Sequence, residues 1–352
     1  DEFVILLSDI RSGEEVLLVT EKVRSECSKP ARIGGQEMRI GISLGVSLFP
    51  DDAQDSRTLL RYADSALYHA KAEGRNHVQF YRPELTARME QRMRLGGSLR
   101  SALERHEFEL HYQPIVSLDD RKPRAVEALI RWNHPELGLL GPGDFISLAE
   151  EVGLSAAIGE WVIGEACHQA ALWSAAGGMP LNVAVNVSAS QFKTGNLVQV
   201  VRNALAAAGL PAQRLCIEIT EQLLLSDSAK NRAILADLKA LGVGIAIDDF
   251  GTGYSSLSYI SHFGPTELKI DRSLIGEGNG KHAAIVTAAI AMAHSLKLQV
   301  VTEGVETKEQ EAFLQSLGCE MAQGFLYAEP CTGQEFLAWL QRTSNEQVAA
   351  IR

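Results

Sequence analysis

From residue 106 to about 345 the chain repeats one pattern: a short apolar run, then a longer stretch whose apolar residues fall three and four apart. The short runs are Leu110–Ser117, Arg124–Trp132, Leu181–Ser188, Leu215–Thr220, Gly242–Asp249, Glu267–Asp271, Gln299–Glu306 and Met321–Ala328. The longer ones include Ile158–Trp173, Leu197–Ala208, Asn231–Leu241, Ala283–Leu296 and Glu309–Leu317, and Gly333–Leu340 closes the series. The first kind has the period of a strand and the second that of a helix. Strands alternating with helices in this way predict an α/β fold, a closed (β/α)₈ barrel.

Period two assigns the faces of each strand. In Leu215–Thr220 the apolar Leu215, Ile217 and Ile219 face the helices, and Cys216, Glu218 and Thr220 face the lumen. The same rule sends Glu127, Leu129 and Arg131 inward against Val126, Ala128 and Ile130, and Lys269 with Asp271 inward against Leu268 and Ile270. Toward the strand ends the lumen then collects Glu127, Asn186, Glu218, Asp248, Asp249, Lys269, Glu303 and Gln323. The run Gly244–Asp249 ends in two adjacent aspartates and passes through Gly251-Thr252-Gly253 into a helix start at Tyr254-Ser255-Ser256. Taken alone that pair reads equally well as turn or capping residues on a solvated loop. Five carboxylates on one rim, against Arg131 and Lys269 only, are harder to dismiss. Their repulsion would keep some of them protonated unless cations stood among them. A donor set of carboxylates and one amide, without histidine or cysteine, suits Mg²⁺ or Mn²⁺ and not zinc. A two-metal cluster at that end of a barrel points first to phosphoester hydrolysis and second to an enolase-type lyase.

Composition narrows the class. Net charge is −11, with a pI near 5.4, which argues against a protein that binds nucleic-acid polymers through their backbone. An anionic substrate must meet local cations instead. Five widely spaced cysteines, with no Cys-x-x-Cys pair, predict reduced thiols and a cytoplasmic setting. No apolar run is long enough to span a membrane. The chain opens at Asp1 on a strand-like Phe3–Leu7 run and reads as a fragment of a longer protein, whose missing N-terminal segments could include a membrane anchor.

Residues 1–81 read as a small α+β segment: strand Phe3–Leu7, helix Gly13–Cys27, strand pairing within Met38–Phe49, helix Asp55–Ala72 and a short strand in Asn76–Tyr81. Residues 82–105 read as a helical linker with a thin stripe of Leu85, Met89 and Met93, loosened at Gly96-Gly97. Residues 106–345 form the barrel domain.

Asp1-Glu2-Phe3, Ile42–Ser47, Ala63–Lys71 and Gly74-Arg75-Asn76 resemble the C-terminal half of a GGDEF domain, the ferredoxin- or palm-like family that makes cyclic di-GMP from GTP. The half that precedes Asp1 in that family would carry the other metal aspartate and most nucleotide contacts. The resemblance therefore implies a regulatory remnant here, with GTP bound at an intact domain of the parent protein. Residues 98–345 resemble the EAL domain, a TIM-like barrel with cyclic di-GMP phosphodiesterase activity. The motifs that carry this are Tyr112–Val116, Glu127–Trp132, Asn186–Ser188, Glu218–Glu221, Asp248–Gly253, Leu268–Asp271, Glu303–Glu306 and Gln323-Gly324.

The resemblance implies that Glu127, Asn186, Glu218, Asp248 and Asp249 hold two Mg²⁺ or Mn²⁺ ions, and that Lys269 and Glu303 position and deprotonate the attacking water. Glu127 and Asp249 would act in catalysis through the metals. Gln113, Arg131, Asp271 and Gln323 would contact substrate or its water, and Glu221 and Glu306 would anchor loops, Glu221 holding the Asp249–Ser255 loop. Arg131 has the alternative of merely neutralising Glu127, and Gln113 that of a structural residue at the barrel mouth. The implied reaction opens cyclic di-GMP to linear pGpG in a homodimer formed through the barrel domains. The alternatives are a catalytically silent cyclic di-GMP receptor and, for the full-length protein, a bifunctional cyclase/phosphodiesterase. One departure is Glu329, where the family commonly has a basic or small polar residue before the proline at 330.

Overall fold

The structure, a computed structural model, describes residues 2–350 except 9, 11–12, 34–35, 39–40, 176–180, 222, 224–228, 252–262 and 276–279. It divides into two compact units, Asp1–Ser98 and Leu99–Arg352.

In the first unit helix Gly13–Cys27 is followed by strands β1 (Ala31–Ile33) and β2 (Gln36–Met38), an antiparallel hairpin that the sequence pattern did not announce. Strands β3 (Leu44–Val46) and β4 (Val78–Phe80) pair in parallel and flank helix Ser56–Ala72. Asp55 caps that helix by accepting the amide N–H of Thr58 at 2.9 Å. Gly45 is glycine for a steric reason: a Cβ there would overlap the backbone of Ala63 and Leu67. Phe3–Leu7, expected as a strand, has no regular secondary structure, and Phe3, Val4 and Leu6 are 88%, 77% and 86% exposed. Apolar alternation makes a strand only where a neighbouring strand completes the ladder, and among the described residues none does.

Helix Pro83–Glu104 contains the boundary between the units and runs unbroken through Gly96-Gly97. Leu95, Leu99 and Ala102 are buried on one side of it, which offsets the glycine cost of about 1 kcal/mol each. The side chains of Leu85, Met89 and Met93 lie outside the described residues.

The second unit is an eight-stranded closed barrel. Its strands are β5 (Phe108–Ser117), β6 (Pro123–His134), β8 (Asn182–Asn186), β9 (Leu215–Thr220), β10 (Gly244–Phe250), β11 (Glu267–Ile270), β12 (Gln299–Thr302) and β13 (Met321–Ala322). Two short strands, β7 (Gly138–Leu140) and β14 (Cys331–Thr332), extend β6 and β5. All eight expected barrel strands are present, but the first is reversed: β5 is antiparallel to both β6 and β13. The reason lies in the Leu118–Lys122 connection, which is far too short for the crossover of a dozen or more residues that a parallel pair requires.

Several strands also end sooner than alternation suggests. Ala322 is the last residue of β13 because Gly324–Ala328 turns back on itself, Tyr327 N–H donating to the Gly324 carbonyl. Asp271 leaves β11 to cap a 3₁₀ turn at Arg272–Leu274 by accepting the Ser273 N–H at 2.9 Å.

The lumen is layered. Its apolar parts include the cluster Ile115, Val301 and Met321 and the cluster Ala184, Cys216 and Ala246. In register, Glu127 lies opposite Gln113, Asn186 opposite Glu218, and Glu218 opposite Ala246, so the polar residues meet at one end of the barrel. That is the end where the parallel strands finish and the loops begin, the usual place for barrel chemistry.

Candidate active site

Lys269 organises this end. It is 1% exposed, and its ammonium lies 2.7 Å from Glu303, 2.8 Å from Glu218, and 3.4 Å from both Glu127 and Asp248. The nitrogen has no well-aligned hydrogen bond to any of them; it sits as a point charge where four carboxylates converge. Glu127 is held from its other sides. Asn186 Nδ2, on the exposed rim, donates to Oε1 at 2.7 Å, and Gln323 Nε2 donates to Oε2 at 2.7 Å. The same Gln323 amide donates to Gln113 Oε1 at 2.8 Å, and Gln113 Nε2 donates to the Ala328 carbonyl at 3.0 Å. Strands from opposite ends of the sequence are thereby joined around one glutamate.

Gly324 makes this possible. A Cβ on it would overlap the backbone of Val305, whose N–H donates to the Gln323 carbonyl at 3.0 Å. Any larger residue would move Gln323 away from Glu127.

Asp248 and Asp249 would point to opposite faces of a regular strand. Asp249 instead has φ of 56°, in the left-handed region, and the β10–β11 register shifts between Ile247 and Phe250. Its N–H donates to Asp248 Oδ1 at 3.0 Å. Asp248 is thus buried toward Lys269 while Asp249 stands exposed at the rim. A non-glycine residue in this region stores of order 1 kcal/mol or more of strain, a feature common at functional sites.

The electrostatics follow from four acids sharing one cation. Burial alone would raise Glu127, but the Lys269 charge and the hydrogen bonds from Gln323 and Asn186 prevail and hold it below the usual carboxylate value. Glu218 is pushed well up by burial and by the neighbouring Glu127 and Asp248 charges. Burial raises Asp249 too, with Asp248 and Asp271 adding to it. Lys269 is pushed well above its ordinary value because the four carboxylates outweigh its burial. Glu303 is pushed up to about 7 by burial; the Lys269 charge opposes this, and the Asp248 and Glu127 charges add to it.

Folding is linked to the Glu303 proton. Its ordinary value is 4.5, so between there and about 7 the folded chain keeps a proton that the unfolded chain has lost. Raising the pH through that window therefore costs stability. With divalent cations chelated, the thermal midpoint should fall as pH rises from about 5 to about 7, and less steeply in Glu303→Gln. A flat parent profile would mean that the carboxyl is already ionised.

Glu218 Oε2 and Gln323 Oε1 are buried without a hydrogen-bond partner. Among the described residues no group of three acidic, histidine or cysteine side chains is arranged to hold a metal ion, because the Lys269 ammonium stands where they meet. The donor chemistry nevertheless fits one. Four carboxylates, one of them with an orphaned oxygen, and an amide offer oxygen ligands only, in excess over the single cation.

A cavity of about 220 Å³ opens onto this cluster, lined by Gln113, Glu127, Asp248, Glu303 and Gln323 together with Arg272 and Phe325. Sequence reasoning missed the last two, although each directly follows a motif, Lys269-Ile270-Asp271 and Gln323-Gly324. Phe325 is 60% exposed. Arg131 makes no ion pair with the four acids among the described residues: its Nη1 donates to the carbonyl of Ile130 at 2.9 Å, and partial burial lowers its value below that of a free guanidinium although the Glu127 and Glu109 charges oppose this. The Asp271 side chain is occupied as a cap. Glu306 is exposed and also lines the cavity. Glu221 is 6% exposed, and neither of its carboxylate oxygens has a partner among the described residues. The loop it was expected to anchor, with Thr252-Gly253 and the helix start at Tyr254-Ser255-Ser256, lies outside the described residues.

Comparison with known proteins agrees with this architecture. Residues 97–330 match the model of the EAL domain, and residues 1–77 that of the diguanylate cyclase GGDEF domain. The chain is 45% identical over 340 residues to the bifunctional diguanylate cyclase/cyclic di-GMP phosphodiesterase MucR of Pseudomonas aeruginosa, covering 96% of this chain and 50% of that protein. It is 41% identical over 332 residues to the cyclic di-GMP phosphodiesterase NbdA of the same organism, covering 94% of this chain and 42% of NbdA. A solved PaMucR phosphodiesterase in complex with c-di-GMP superposes with a TM-score of 0.67 at 48% identity, covering 69% of this chain and 99% of that one. The chain spans about half the length of the curated relatives it matches.

Proposed function

This chain belongs to the EAL domain family, with part of a GGDEF domain ahead of the barrel, and on that premise we propose that it hydrolyses cyclic di-GMP to linear pGpG with the help of divalent metal. The observation that carries the reading is the Lys269 cluster: four carboxylates around one buried ammonium, opening into a cavity.

Glu127, Asn186, Glu218 and Asp248 would hold Mg²⁺ or Mn²⁺, with Asp249 reaching a second ion from the rim. The ions would supply Lewis acidity toward the phosphodiester and toward water. The remaining work falls to the chain. Glu303, 2.7 Å from the Lys269 ammonium at the edge of the cavity, is placed to take a proton from the attacking water. Lys269 orients that water and keeps Glu303 and Glu218 in place. Gln323 spends its two N–H bonds on Gln113 and Glu127, leaving Oε1 to accept from a water or a substrate hydroxyl. Arg131 can present its guanidinium fork to a phosphate oxygen pair. Arg272 and the exposed ring of Phe325 bound the cavity where the nucleoside would lie. For the whole protein, GTP at an intact first domain and a homodimer through the barrels belong to the same proposal. Among the described residues no helix is long and apolar enough to cross a membrane, and a cytoplasmic setting is part of the proposal too.

The test is incubation of the chain with cyclic di-GMP and Mn²⁺ or Mg²⁺, beside a chelated control, with chromatographic separation of products. The expected result is pGpG only where metal is present. Nucleotide binding without product under either metal would replace the hydrolase with a receptor.

A further inference from the structure

A second cavity, of about 330 Å³, lies on the outer side of β5, between helix Ser155–Ala175 and the start of helix Gly333–Ala350. Its walls include Phe108, Tyr112, Trp161, Glu165, Gln169 and Thr332. Tyr112 is 2% exposed, and its hydroxyl has no hydrogen-bond partner among the described residues. The small part of Tyr112 that is accessible opens onto the cavity, where its hydroxyl can serve a ligand as donor or acceptor. Glu165, half-buried in the adjacent helix, likewise makes no hydrogen bond or ion pair among the described residues. The two are close enough for the Glu165 charge to act on the phenol, yet they do not bond each other. Both face the same space.

The walls beside them are aromatic. Trp161 packs on Phe108 with ring centroids 6.0 Å apart and stays partly exposed toward the cavity. Tyr112 is fixed edge-on against Trp173 at 4.7 Å, and Trp173 Nε1 donates to the Gly333 carbonyl at 3.3 Å, so the back of the cavity is rigid. The other titratable groups on the walls are Glu109, whose carboxylate accepts from His111 at 3.2 Å, and His106 at the mouth. An unpaired carboxylate beside aromatic faces favours a cation, and a phenol and an amide add directional polar contacts.

We propose that this cavity binds a small organic cation, a primary ammonium or guanidinium group, with Glu165 as its counter-charge, Trp161 as its aromatic wall and Tyr112 as its hydroxyl partner. The group could arrive as a free amine or on a basic side chain of a peptide. The site is separate from the catalytic cluster: Tyr112 faces away from the lumen, while its neighbour Gln113 faces in and bonds Gln323.

The test is calorimetric titration of the full chain with agmatine and, in a second arm, with a capped pentapeptide containing one arginine. Agmatine should bind saturably at one site, and Glu165→Gln and Trp161→Ala should each weaken it about tenfold or more. Because Trp161→Ala opens a packing defect, the isosteric Glu165→Gln and Tyr112→Phe variants carry the decision, each first shown to unfold at the parent temperature. Saturation by agmatine alone assigns the site to free amines, and saturation by the peptide as well assigns it to side chains. No saturable binding of either probe, or binding undiminished in Glu165→Gln, overturns the proposal. So does binding lost in Glu127→Gln but kept in Glu165→Gln, which would place the cation in the catalytic pocket.

Discussion

Glu127→Gln is expected to lower cyclic di-GMP hydrolysis by at least about 10²–10³-fold while leaving the fold intact. Glu127 accepts hydrogen bonds from Asn186 and Gln323 and lies 3.4 Å from the Lys269 ammonium. Glutamine keeps the shape but turns one acceptor oxygen into a donor that must oppose Asn186 or Gln323. It also removes the charge that burial alone would suppress and that its neighbours sustain. For stability the two consequences oppose each other. A charged hydrogen bond worth about 1.5–3 kcal/mol is lost, but so is repulsion with Glu218 and Asp248. For catalysis they act together, since both the carboxylate and its aim are gone. Initial rates at saturating substrate and metal would decide it, beside a thermal scan of each protein. Turnover within about tenfold of the parent would remove Glu127 from the machinery.

Lys269→Met should be the most destabilising single change in the barrel when metal is chelated. It leaves four carboxylates facing one another in a pocket where the lysine itself is 1% exposed. Removing one partner of a buried ion cluster costs about 3–5 kcal/mol. At about 2–4 °C per kcal/mol for a unit of this size, the thermal midpoint should fall by roughly 6–20 °C. Part of that fall comes back as the remaining acids take up protons, so the loss should shrink as pH is lowered. Adding Mn²⁺ should restore much of the stability and none of the turnover, because a divalent ion can neutralise the acids but cannot orient the water from the lysine's position. An unchanged midpoint in chelator would mean that Lys269 is not the internal counter-ion of the pocket.

How much of this was legible beforehand can be judged from particular residues. Period-two alternation placed Glu127, Glu218 and Lys269 on one face because side-chain direction in a strand is a local property of the backbone. It could not send both Asp248 and Asp249 into the lumen, and the structure buries only Asp248, with the left-handed Asp249 exposed at the rim. It did not foresee that Asp271 leaves the strand to cap a turn, and it failed at Phe3–Leu7, which has no partner strand among the described residues. Arg272 and Phe325 went unnoticed since each side chain becomes relevant only where its turn meets the cavity. The reversal of β5 was implied by the short Leu118–Lys122 connection, but the repeat pattern around it suggested eight equivalent units.

The sequence by itself determined which residues could be in the lumen, the α/β class, and the oxygen-only character of the site. The tertiary structure alone decided that Lys269 sits among four acids from four other strands or their ends, that Glu127 is clamped by Asn186 and Gln323, and that burial pushes the Glu303 carboxyl up. The division has a physical cause. Periodicity and propensity act between residues a few positions apart. Charge coupling and desolvation depend on distance in space, and here the groups that set them lie between positions 127 and 323 and meet only when the barrel closes.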